Sequence, residues 1–201
     1  MDIIITFIII IGSPVAIVVL LQLYCKIEAK IRDRAKRKYR KLAEQGNSAG
    51  QFMFGMYYCD NMVETVEWLR KAVEQEHGKA YVALARCYGE GKGVEKDKVE
   101  MIKLLREAAE HCVVEAQLEL ALCYRQGYGV EIDYVEMVKW YREAAEWGNA
   151  DGQYHLGECY YWGKGVPRDK TQARKWWNNA KKQGDTRGGF TWRTDGMYES
   201  F

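Results

Sequence analysis

Any chemistry in this chain would have to come from six cysteines, three histidines or a few serines. Cys87, Cys123 and Cys159 stand 36 residues apart. No Cys-x-x-Cys pair occurs, so neither a redox motif nor a zinc-ligand pair is present. His77, His111 and His155 are as widely spread, and the adjacent His111-Cys112 do not share a helix face. Ser13, Ser48 and Ser200 are the serines, and none lies in a Gly-x-Ser-x-Gly elbow. Gly91-Lys92-Gly93-Val94, Gly127-Tyr128-Gly129-Val130 and Gly163-Lys164-Gly165-Val166 lack the third glycine and the Lys-Ser/Thr ending of a phosphate cradle. Acidic pairs fall on solvated helix faces or at helix starts. The expectation is a protein with no catalytic residue, no metal site and no cofactor, and so not an enzyme.

The same residues carry a different message through their period. The three glycine loops recur every 36 residues. Tyr88, Tyr124 and Tyr160 keep that offset, as do Asp97, Asp133 and Asp169. Leu104, Trp140 and Trp176 keep it too, and so do Ala108, Ala144 and Ala180. One fixed period across many columns marks a repeat array. A fourth, shortened copy runs from Gly50 to Ala72 if six residues are removed around the loop. Gly55 then aligns with Ala85, Ala121 and Gly157, Tyr58 with Tyr88, Asn61 with Asp97 and Trp68 with Leu104.

Each unit reads as two helices joined by a glycine loop. The first helix is expected over about 80–89, 116–125 and 152–161. Its small column (Gly55, Ala85, Ala121, Gly157) admits a neighbouring backbone. The loop glycines supply backbone angles closed to other side chains. Asp97-x-x-Glu100, Asp133-x-x-Glu136, Asp169-x-x-Gln172 and Asn61-x-x-Glu64 each read as a reciprocal capping box opening the second helix.

This pattern resembles the SEL-one-like repeat, an α/α relative of the tetratricopeptide repeat, over about residues 43–184. Copy one departs by losing its glycine loop, Leu104 stands where tryptophan is usual, and Lys181 replaces the second alanine. The resemblance implies an all-α solenoid of about four helix pairs and an adaptor function in protein complexes. It also implies that the first helices line the concave face. Secreted members with two bridged cysteines per repeat are not matched, because this chain has one such column. Its members should stand about 10 Å apart as packed helices do, beyond disulfide reach of about 7 Å.

The N-terminus carries a separate signal. Ile3 to Cys25 holds no charged residue, and 23 positions make about 34 Å of helix against a bilayer core of about 30 Å. Met1-Asp2 lacks the basic start of a signal peptide, and no small-residue cleavage pair precedes Cys25. A retained single transmembrane helix is expected, with Gly12-Ser13-Pro14 kinking it. Nine basic residues follow in 26–41 against Glu28 and Asp33, while residues 42–201 hold 21 basic and 25 acidic ones. Positive flanks stay in the cytoplasm, so the repeats should be cytosolic. The basic run also suits anionic lipid. Confined to one short stretch, it argues against nucleic-acid binding.

The expected organisation is therefore a membrane anchor over 1–25, a basic juxtamembrane helix over 26–42, repeats over 43–184, and a C-terminal cap or tail over 185–201. The expected partner is a protein. Surface columns that differ between copies point to its contacts: Met53, Ala83, Glu119 and His155 in one, and Met56, Arg86, Leu122 and Glu158 in another. Trp162 lies one turn further on. Met56, Arg86, Leu122, Glu158 and Trp162 are the candidate partner-binding residues. A membrane-anchored scaffold is the leading functional expectation. The alternative is an immunity or inhibitor protein that neutralises a toxin or effector by direct binding.

Overall fold

The computed structural model describes residues 14–184. Among the described residues the secondary structure is helical: α1 (Pro14–Glu44), α2 (Ser48–Tyr58), α3 (Met62–Val73), α4 (Gly78–Glu90), α5 (Lys98–Glu110), α6 (Val114–Gln126), α7 (Tyr134–Glu146), α8 (Ala150–Trp162) and α9 (Lys170–Lys182). Each helix packs against its neighbours in sequence, and α4 also reaches α6 in the next unit. This is an all-α solenoid, with helices one to two residues longer at each end than the sequence pattern suggested. The expected cap or tail over 185–201 lies outside the described residues, as do the first eleven residues of the expected membrane span.

Termination and restart of each unit follow from backbone chemistry. Gly91, Gly127 and Gly163 end the first helices in the left-handed region. Gly165 sits at φ +72°, where a Cβ would lie 1.9 Å from the carbonyl oxygen of Tyr134. The second loop glycine thus seats one unit against the first turn of the preceding second helix. Asp97, Asp133 and Asp169 then cap α5, α7 and α9, each accepting two backbone N–H bonds. Asn61 accepts one from Glu64.

The reciprocal half of the capping box is not what the sequence pattern suggested. The N–H groups of Asp97, Asp133 and Asp169 donate instead to the carbonyls of Tyr88, Tyr124 and Tyr160. The loop folds back on its own first helix and satisfies that donor there. Glu100 and Glu136 turn outward to Lys103 and Lys139.

The core is a set of repeated columns. Phe54, Leu84, Leu120 and Leu156 on the first helices are buried, as are Thr65, Met101, Met137 and Ala173 on the second. At Gly157 a Cβ would lie 2.5 Å from the Trp177 indole, so the small column does allow close helix contact. Arginine–tyrosine bonds tie units together: Arg70 to Tyr88 at 2.9 Å, Arg106 to Tyr124 at 2.8 Å and Arg142 to Tyr160 at 3.1 Å. Gln117 and Gln153 donate to the carbonyls of Ala109 and Ala145 in the preceding helix.

The six-residue deletion in copy one is visible directly. Gln75 donates to Gln51 at 2.8 Å, and Gln183 donates to Gln153 at 2.9 Å, the same bond spaced 24 and 30 residues apart. The loop after α2 is shortened to Cys59-Asp60-Asn61, with Cys59 extended rather than left-handed.

The last turns of α1 act as a second helix without a first. Gln51 reaches the Ala43 carbonyl as Gln153 reaches Ala145, although at 3.5 Å. Gly46 at φ +83° matches Gly148 and Gly184. Tyr39 stacks on Tyr58 at 5.5 Å, and Lys36 pairs with Asp60. Packing onto α2 therefore starts at about Ala35, before the expected repeat boundary at residue 43.

Candidate protein-interaction site

Three clefts run along the side of the solenoid formed by the first helices, each bridging successive units. The first, about 380 Å³, lies between α2 and α4 and is lined by Met56, Cys59, Asp60, Arg86 and Glu90. The second, about 320 Å³, lies between α4 and α6, with Arg86, Met101, Glu119 and Leu122. The third, about 110 Å³, lies between α6 and α8, with Arg125, Met137, Tyr141, His155, Glu158 and Trp162. The structure thus brings Met56 to Arg86, Arg86 to Leu122, and Glu158 to Trp162.

Exposure separates apolar contacts from core. Met56 is 41% exposed, Leu122 36% and Trp162 61%. Isolated exposed apolar side chains are ordinary, but these lie in consecutive clefts on one face. The column Met53, Ala83, Glu119 and His155 does not form a free surface. Ala83 is buried and the other three are half-buried, with Ala83, Glu119 and His155 each turned toward the preceding first helix.

Charges in the clefts are largely paired. Arg86 Nε donates to Glu119 at 2.7 Å across the unit boundary. Lys92 pairs with Glu90 at 2.5 Å. His155 Nδ1 lies 2.9 Å from Glu158, and its ring stacks on Tyr141 at 4.9 Å. The sequence alone missed the Arg86–Glu119 pair. The signal for it was present in the opposite charges at equivalent faces of neighbouring copies. Arg125 and Lys164 line the third cleft, and among the described residues no ion pair or hydrogen bond engages either side chain.

The cysteine column is structural. Cys87, Cys123 and Cys159 are buried free thiols. Burial pushes Cys123 up to about 11 and Cys159 up to about 12, and raises Cys87 as well. Arg125 and Lys164 act in the opposite direction on Cys159. Such thiols are neutral at physiological pH and weak nucleophiles. Among the described residues no group of three His, Cys, Asp or Glu side chains could hold a metal ion.

Comparison with curated proteins gave no match. Among solved structures the chain is similar to a protective antigen of uropathogenic Escherichia coli strains displaying an SLR fold. The identity is 33% and the TM-score 0.71, over 75% of this chain and 34% of that one. It is also similar to a Sel1 repeat protein from Oxalobacter formigenes, with 36% identity and a TM-score of 0.69 over 76% of this chain and 65% of that one. The chain therefore spans about a third of the first relative and just under two thirds of the second. The Sel1 repeat model matches residues 61–77, 78–111, 114–149 and 150–185. With these matches laid on the helix pairs described above, the chain belongs to the Sel1 repeat family, whose proteins are generally non-enzymatic protein-interaction scaffolds.

Proposed function

We propose that this chain is a membrane-tethered scaffold that holds a protein partner along its first-helix face, through Met56, Arg86, Leu122, Glu158 and Trp162. The observation that carries the reading is the row of three clefts, each opening beside an exposed apolar side chain. A solenoid gives such a row a long surface for few residues. Tethering raises the partner's effective concentration at the membrane.

The tether is the run Ile3–Cys25, with the repeats on the cytosolic side of a single-pass protein. Among the described residues no helix is long and apolar enough to cross a membrane. That search starts at Pro14 and so covers only the second part of the run. What supports the tether is that Val18, Val19, Leu21 and Leu23 project from α1 with about half their surface exposed. α1 continues from Pro14 to Glu44 without a break. It would therefore act as a rigid stalk, of about 14 Å between Lys26 and Ala35.

That continuity limits the lipid contact. If α1 stands along the membrane normal, Lys26 and Lys30 lie within one Debye length, about 8 Å, of Cys25. Arg34, Arg37 and Lys41 stand further out. Anionic lipid is then gripped by the first turn or two, and the rest of the basic run faces the cytosol.

The test is capture of the partner from crosslinked membranes by the full chain and by its Met56→Ala/Leu122→Ala/Trp162→Ala variant. These side chains are exposed, so helicity and melting should hold while partner recovery is lost. Unchanged recovery by the folded variant would reject the groove.

A further inference from the structure

We propose that the edge of the solenoid carrying the glycine loops rests on the bilayer surface, with Val99, Ile132, Tyr134 and Val135 in the headgroup region. The inference rests on the tether reading above and adds a second membrane contact, made by the repeats themselves.

Apolar exposure is the first argument. Outside α1, eleven large apolar side chains are exposed among the described residues. Ten of them lie toward the loop edge, in the last two turns of a first helix, in a loop or in the first turn of a second helix. Trp147, the C-cap of α7, stands at the opposite edge. Met56, Leu122 and Trp162 open into the clefts, but the row on the edge itself is built by repetition. Val63, Val99 and Val135 are each the second residue of a second helix, and they are 58%, 75% and 67% exposed. Ile132 and Tyr134 stand exposed beside the last of them. A valine that packs against nothing gains nothing from burial there, and its helix propensity is modest. Each loop also seats on the first turn of the preceding second helix, Gly93 on Met62, Gly129 on Lys98 and Gly165 on Tyr134, so the edge is continuous. A contiguous apolar surface of this kind marks an interaction face.

The direction of α1 says what covers that face. Lys36 pairs with Asp60 in the shortened loop of copy one, so α1 enters the solenoid at the loop edge. Gly46 then turns the chain at the opposite edge, where Gly148 and Gly184 stand in other copies. The part of α1 before Lys36, with the exposed Val18, Val19, Leu21 and Leu23, therefore projects from the loop edge. A tether through these residues puts the bilayer on the side of the apolar row.

Distance decides which copies touch. With α1 upright, the stalk holds the edge about 14 Å from the hydrocarbon core. Headgroups fill about 5–8 Å of that, leaving about 6–9 Å. Membrane helices tilt by about 20° on average. At about 10 Å per copy, Val135 stands about 30 Å from α1, and such a tilt toward the repeats lowers it by about 10 Å. Val99 drops by about 7 Å and Val63 by about 3 Å on the same lever. The tilt thus brings the starts of α5 and α7 to the headgroups and leaves the start of α3 short of them.

The test reconstitutes the full chain in vesicles of phosphatidylcholine and phosphatidylglycerol, with and without nitroxide-labelled lipid. A fluorescent amino acid replaces Leu21, Val63, Tyr134, Val135 or Trp147, one at a time. The reporter at Val135 should lose about half its emission or more to the nitroxide, since an interfacial apolar side chain sits at the headgroup boundary. The reporter at Trp147 should be unaffected, and the one at Val63 should fall between the two. Val99→Ser/Ile132→Ser/Val135→Ser changes exposed side chains, so helicity should hold while quenching at Tyr134 falls to the Trp147 level. Quenching at Leu21 with Val135 no different from Trp147 overturns the proposal and keeps the tether. No quenching at Leu21 rejects the tether, and this inference with it. Quenching at Val63 equal to that at Val135, or quenching at Tyr134 that survives the triple variant, also overturns the proposal. So does a Val135 signal that follows protein density in the vesicle and not the nitroxide, because a second copy would then cover the edge.

Discussion

Replacing Gly165 by alanine should destabilise the solenoid more than any other single methyl addition in its loops. Two costs combine there. A non-glycine residue in the left-handed region costs about 1–2 kcal/mol. The new Cβ would also lie 1.9 Å from the Tyr134 carbonyl oxygen, 2.5 Å from its carbon and 3.0 Å from Val138. The two nearest atoms are backbone in the first turn of α7, so no rotamer change clears them. Relief requires α7 and α8 to separate by about an ångström, and overpacking of this kind costs about 1–3 kcal/mol. The expected total is about 2–5 kcal/mol. Gly148→Ala is the matched control. It has φ +83° and nothing within 4 Å of the added Cβ, so it carries the conformational cost alone, about 1–2 kcal/mol. Urea unfolding followed by circular dichroism at 222 nm reads both, with the slope checked for constancy. Equal losses in the two variants would refute the claim that the second loop glycine sets the spacing between units.

Other expectations follow from the same geometry. Asp133→Ala should cost about 1 kcal/mol, the usual value for a lost N-cap, while Glu136→Ala should cost far less because no back-bond to Asp133 exists; thermal melts compare them. Trp140→Ala should cost about 3–5 kcal/mol, since this side chain is 6% exposed and a tolerated truncation would mean that its column is not core. Cys112 sits at φ +60° where Gly148 and Gly184 stand in other copies, so Cys112→Gly should raise the melting temperature. Stability should fall above about pH 9, because the unfolded thiols ionise near their ordinary value of 9.0 while burial holds Cys123 and Cys159 up to about 11 and about 12. Below that range the folded and unfolded thiols are both protonated and the effect vanishes, which urea titrations from pH 7 to 11 would read. For topology, an impermeant thiol reagent should label the exposed Cys112 only after cells are permeabilised, and labelling of intact cells would reverse the orientation.

The units were legible because their backbones make demands few residue types meet. A left-handed helix end calls for glycine and an orphaned helix start calls for aspartate, so Gly91 and Asp97 recur at a fixed period. The last turns of α1 escaped because no glycine loop or first helix accompanies them. Their mark is Leu42-Ala43 followed by Gly50-Gln51, which copies Ala144-Ala145 and Gly152-Gln153 at identical offsets. The back-bond of the capping box was misassigned for a related reason: spacing identifies a donor and an acceptor, but not the closer competing acceptor at the Tyr88 carbonyl. The candidate site was half legible. Offsets placed Met56, Arg86, Leu122 and Glu158 on one face, yet could not tell that Ala83 is covered or that Arg86 is held by Glu119. Those depend on how far apart neighbouring first helices stand, which the repeat period does not encode.

The account turns on whether the partner sits against the first-helix face. The most direct measurement places a photo-crosslinker at single positions of the full chain in native membranes: at Met56, Leu122 or Trp162 in the clefts, and at Lys103 on the outer side of α5. The account predicts that one partner crosslinks from the three cleft positions and not from Lys103. Crosslinks from Lys103 alone, or equally from all four positions, would contradict it.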